Sequence, residues 1–207
     1  TLTLASAGGT ATVAQWQEAL RLVRFDSSSP SPGATRVVAF QVDVGDGGSS
    51  LSPVQTRTID ITEVNSAPTL AGGGAVVFAE NGAALVLDAA LVVADPDTLL
   101  LAGATVSITT GFVTGQDVLG FTPAGSITGS YNTATGVLSL SGSGTPGEYQ
   151  QVLRSVTYSN SSDAPSTAPR TVVFQVNDDQ GVANLSNDTT VTLGVTAIND
   201  APVVSGG

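Results

Sequence analysis

Acidic residues outnumber arginines 17 to six in this 207-residue chain, yet only 11% of its residues are charged, so any place where acids gather stands out. Between 68 and 204 they gather in turns: "FAEN" at 78–81, "ADPD" at 94–97, "VNDDQG" at 176–181 and "INDAP" at 198–202. Asp and Asn side chains build Asx turns in Gly- and Pro-rich sequence, and that accounts for any one of these motifs alone. Together they suit a second chemistry. Calcium takes roughly six to eight oxygen ligands, which carboxylates from several loops and backbone carbonyls can supply. In "DPD" the proline restrains the orientation of the two carboxylates beside it.

Other chemistries are removed by composition. The chain has no Cys, His, Met or Lys. Without Cys or His the usual zinc, haem and iron–sulfur ligand sets are unavailable. Neither a Cys–His nor a Ser–His nucleophile pair can be built. Asp95/Asp97 or Asp178/Asp179 would serve as a glycosidase pair only with a second carboxylate held across a cleft, which nothing in the sequence indicates. The chain therefore reads as a non-enzyme. A net charge of −11 repels nucleic acid and anionic membranes, and no apolar run is long enough to span a bilayer. Three sequons, at Asn160, Asn184 and Asn187, are weak matches in Ser/Thr-rich sequence.

Those turns need elements to position them, and the elements repeat. "VNSAPTL" ends at Leu70 and "INDAPVV" at Val204, 134 residues apart counted between asparagines (199 − 65). Residues 27–70 laid over 161–204 give 17 identities in 44 positions, including Arg36/Arg170 and the "FQV" of 40–42 and 174–176, too ordered for chance. At an offset of 133, "TVAQWQEALRLVRF" (12–25) falls on "TPGEYQQVLRSVTY" (145–158). The reading is a second half of a repeat at 1–67, a complete repeat at 68–204 and the start of another linker or repeat at 205–207, a piece of something longer.

The complete repeat is patterned as strands. Val/Ile/Thr-rich runs at 75–80, 104–110, 118–122, 136–142, 170–176 and 188–198 are separated by Gly, Pro, Asn and Asp, and Val172, Phe174 and Val176 alternate with Val173, Gln175 and Asn177 as in a half-buried strand. About seven strands at this spacing suggest an all-β sandwich, Ig-like in plan. One short helix per copy interrupts it. Thr145, Pro146 and Glu148 form a capping box with proline at the first helical position; Thr12 and Gln15 repeat the design. Trp16 and Tyr149 read as plugs that fix each helix against the sandwich.

The order "AEN … DPD … NDD … NDAP", with a joining "VNxAP", resembles the cadherin-like repeats of large bacterial surface adhesins, and "YQQVLRSVTY" followed by "APRTVVFQVND" is similar to the chondroitin-sulfate-proteoglycan-type repeats of the same proteins. The resemblance covers 68–204 throughout and 1–67 as its second half. It implies Ca2+ between domains. Glu80 matches the glutamate of the first strand, Asp95 and Asp97 the DxD of the loop facing the preceding domain, and Asn199-Asp200 the linker; Asp178 and Asp179 lie in the "NDD" turn. At the internal junction the implied ligands are Asp43, Asp46, Asn65, Asp95 and Asp97. Ser66 stands where the linker aspartate is expected, and "VDVGDGG" (42–48) spaces its acids differently from "VNDDQGV" (176–182). A competing arrangement is a site within the full repeat built from Glu80, Asp95, Asp97 and Asp178.

The expected function is a calcium-stiffened stalk or spacer of a secreted or cell-surface adhesin, with neighbouring repeats of the same polypeptide as its partners. Homotypic or cell-surface contacts are conceivable; nucleic-acid binding and membrane insertion are not expected. The alternative is a module that itself recognises a glycan or protein, or a strand-exchanging subunit in which another chain completes 1–67.

Overall fold

A computed structural model describes residues 1–29, 31–43, 45 and 50–201. The chain divides into two compact units, Thr1–Val64 and Asn65–Gly207.

The first unit contains helix α1 (Val13–Arg21) and the antiparallel strands β1 (Thr35–Phe40) and β2 (Gln55–Asp60). The second is mostly β. It runs β3 (Thr69–Ala71), β4 (Gly74–Ala79), β5 (Leu85–Val86), β6 (Val92–Ala94), β7 (Leu101–Thr110), β8 (Asp117–Gly120), β9 (Thr128–Asn132), β10 (Val137–Gly144), α2 (Pro146–Arg154), β11 (Thr157–Asn160), β12 (Arg170–Asn177) and β13 (Thr189–Thr196). Six strands form one sheet in the order β4-β13-β12-β7-β10-β9, three form another as β5-β11-β8, and β3 pairs β6.

One core serves this second unit. Val106, Leu138, Val172, Phe174 and Leu193 of the large sheet share it with Leu119 and Tyr158 of the three-stranded sheet and with Tyr149, Val152 and Leu153 of α2. The expected alternation of β12 is borne out: Val172, Phe174 and Val176 are buried, and their neighbours are half-exposed. Helix α2 starts where the capping box requires, with the Thr145 hydroxyl accepting from Glu148 N and a Glu148 oxygen accepting from Thr145 N at 2.7 Å.

Two ends of the large sheet matter for function. β13 runs antiparallel to β12 and parallel to β4, with Ala79 beside Thr196. The chain therefore leaves β12, at Asp178, at one end of the sheet and leaves β4, at Glu80, at the other. Eight residues of β13 separate those ends, about 23 Å at the usual rise per residue.

Candidate functional site

At one end, the chain entering the second unit is tied down by acids. Asn65 Nδ2 donates to Asp178 Oδ2 at 2.9 Å and to the carbonyls of Val182 and Ala183 at 3.2 and 3.1 Å, and Ser66 N donates to Asp97 Oδ2 at 2.8 Å. Ala183 has φ 59°, a left-handed conformation unusual for alanine, so backbone strain sits in the loop that presents its carbonyl to Asn65.

The "DPD" turn shows both of its possible uses at once. Asp95 Oδ1 accepts from Asp97 N at 3.1 Å and Thr98 N at 2.8 Å, which is the Asx turn. Asp95 Oδ2 and Asp97 Oδ1 are buried with no hydrogen-bond partner. Turn formation uses one oxygen of Asp95, and the linker uses one of Asp97. The other two are left without a donor. Burial pushes the Asp95 carboxyl above its ordinary range, and the neighbouring Asp97 adds to this. Asp178 is different: it is buried, and its Oδ1 accepts from Gln180 N while Oδ2 holds Asn65. Asp179 is exposed at φ 58°, turning the chain.

At the other end stands Glu80, only 2% exposed. Its Oε2 accepts from Ile198 N at 2.6 Å, while Oε1 is buried without a partner. Asn199 and Asp200 follow, both exposed, with Asn199 Nδ2 donating to Asp200 O at 3.2 Å. Asn65 and Asn199 occupy equivalent places in the repeat but not equivalent surroundings.

This geometry overturns the arrangement that put Glu80 with Asp95, Asp97 and Asp178, because the sheet separates them by its whole length. Asp43, in the first unit, accepts from Gly45 N at 2.8 Å and from Ser50, the latter holding its carboxyl below the usual range. Asp46 lies outside the described residues, as do 205–207. Among the described residues no three acids lie together as a ready metal cage. The two ends are partial sites, and the orphaned oxygens are the feature at each that fits a cation.

No family model matches the chain. Halomucin of Haloquadratum walsbyi is 36% identical over 128 residues, which is 59% of this chain and 1% of that protein. The chain thus spans a very small part of this relative's length.

A second cluster escaped the reading of acids in turns. Arg170, fully buried, pairs with Asp117 through Nη2–Oδ1 at 3.2 Å and Nε–Oδ2 at 3.3 Å. The Tyr158 hydroxyl and Asn160 Nδ2 donate to the same carboxylate, and Tyr131 donates to the Asp117 carbonyl at 2.8 Å. The Asn160 sequon amide is thereby engaged, and Asn187 Nδ2 likewise donates to Leu70 O at 2.9 Å. The network is structural: Arg170 and Asp117 pair with each other and both are buried. The signal available in the sequence was the identity of Arg36 and Arg170 between copies; Asp117 is a lone acid at a strand start and carried none.

Proposed function

We propose that this chain is a spacer segment of an extracellular or cell-surface repeat protein, built from cadherin-like sandwich repeats whose junctions calcium stiffens. The supporting observation is the placement of three buried, unpartnered carboxylate oxygens at opposite ends of one unit: Asp95 Oδ2 and Asp97 Oδ1 where the linker enters, and Glu80 Oε1 where the chain leaves. A buried carboxylate oxygen without a donor is costly. Evolution tolerates it where a ligand supplies the missing partner. Partial sites at both ends suit cations shared between successive units better than a cation held within one.

The residues have separate tasks in this reading. Asp95 and Asp97 present oxygens at the linker, and Asn65 and Ser66 are fixed by Asp178 and Asp97, so the linker meets the acids in a set position. Bound calcium would cancel the repulsion between the two aspartates and draw in further oxygens from the adjoining unit. The role is mechanical and non-catalytic, and the partners are neighbouring repeats. The likeness to halomucin supports an extracellular setting; no helix among the described residues is long and apolar enough to cross a membrane. Within the second unit direct glycan recognition is less well supported, since Tyr149 and Tyr158 are buried and the Tyr131 hydroxyl is already bonded.

Calorimetric titration of the 207-residue protein with calcium chloride tests the reading. Saturable binding that disappears in Asp95→Ala/Asp97→Ala is the expected result; no binding at millimolar calcium would overturn it.

A further inference from the structure

Thr1–Val64 carries the local structure of a second half-repeat without a core to face. Helix α1 has the same nine-residue length and the same capping box as α2, yet buries no residue, where α2 buries Tyr149, Val152 and Leu153. The counterparts Trp16 and Leu20 are half-buried, and Phe25, matching the fully buried Tyr158, is 43% exposed. An open groove of about 320 Å³ runs beside Trp16, lined also by Leu4, Ala5, Ala11 and Ala19 and by the polar Ser6 and Gln15.

Arg36 sharpens the likeness. Arg170 donates to the carbonyls of Ser166 and Ala168 and gives its remaining edge to Asp117. Arg36 donates to the carbonyl of Pro32, the equivalent of Ser166, and to that of Thr35. Its only ion-pair partner would be a carboxylate, and among the described residues it has none.

We propose that the open apolar face of Thr1–Val64 is an acceptor for the first half of a repeat of the Pro68–Gly136 type, carried elsewhere on the same polypeptide, and that Arg36 takes a carboxylate from it as Arg170 takes Asp117. The incoming strand pairs antiparallel with β1, placing alternate apolar side chains over Val38 and Phe40 as Ile108 and Val106 lie beside Val172 and Phe174. A second copy is a poor donor. Its own Pro68–Gly136 is committed, with β7 hydrogen-bonded on both sides and Asp117 already paired. The inference is independent of calcium.

Trp16 is the single tryptophan, so its fluorescence reports on this unit alone. The test is the full chain extended by a duplicate of Pro68–Gly136 fused ahead of Thr1. The expected result is emission shifted to shorter wavelength with loss of iodide quenching, both reversed by Arg36→Ala or by Asp117→Asn in the added copy. Unchanged emission and quenching in the extended chain would overturn the proposal. So would a shift that ignores both substitutions, which would make the face a nonspecific apolar contact. Protection of Trp16 in the 207-residue chain that rises with protein concentration would assign the face to a second copy and also overturn it.

Discussion

Val42 N donates to Ser52 Oγ at 3.0 Å in the first unit, and Val176 N donates to Ser186 Oγ at 3.0 Å in the second. The Gln41 amide reaches Ser52 O as the Gln175 amide reaches Ser186 O. Asp43 and Asn177 each accept the N–H two residues on. The two copies thus share these local bonds. They part where contacts come from distant sequence: Val172 and Phe174 are fully buried, and Val38 and Phe40 are not. Capping boxes, Asx turns and hairpin registers are written into short stretches, whereas burial needs partners from distant sequence. A unit whose helix buries no residue can therefore hold its secondary structure while contributing little to stability.

The sharpest way to break this comparison is to strip the ion-pair partner from the arginine of one copy and to remove the matching arginine of the other. Asp117→Ala leaves Arg170 buried and unpaired, and urea unfolding of the second unit is expected to show a loss of about 3–5 kcal/mol. Arg36→Ala, at an exposed position, should change stability by no more than about 0.5 kcal/mol. Equal effects would erase the distinction.

Apolar truncation gives the next contrast. Leu153→Ala opens a cavity in a packed core and should cost about 2–5 kcal/mol, with Leu20→Ala far below that in the same denaturation experiment. The caps come next and should not discriminate between copies in kind, because they are local: Thr145→Ala is expected to lower stability by about 1 kcal/mol, and Thr12→Ala to reduce the circular-dichroism helix signal without shifting the main transition.

The smallest effect is one of pH. The Asp95 carboxyl titrates above its ordinary value in the folded protein. Its contribution to stability is therefore present below the unfolded value and is lost as pH rises through the folded one. Melting curves without metal should fall slightly as pH is raised from about 4, a slope that Asp95→Asn removes. At the alkaline end, burial raises the Tyr149 hydroxyl to about 12 and Tyr158 further. Both tyrosines resist ionisation while folded, so stability should decline once pH exceeds about 10.

Much of this was legible in the sequence. The mostly-β character, the two capped helices and the alternation of β12 followed from period and punctuation, which are local properties. Trp16 was not: the sequence pattern marks it as a core plug, equivalent to Tyr149, and in the structure it is only half-buried because, among the described residues, its unit has a single two-stranded sheet. The short strands β3, β5 and β6 were illegible because two or three residues carry no period. For the acids, motif order identified residues worth inspecting but not their grouping. That depends on the strand directions, which set Glu80 at the opposite end from Asp178, and on which oxygen of each carboxylate the turns leave free.

The central claim is that those free oxygens await a cation. Thermal melting of the 207-residue protein in excess EDTA and then across a calcium titration tests it most directly. The account predicts a melting temperature that climbs with calcium, as binding to the folded state alone requires, and a flat response in Asp95→Ala/Asp97→Ala. A melting temperature unmoved by millimolar calcium in the unmodified protein would contradict it and leave the acids as turn formers.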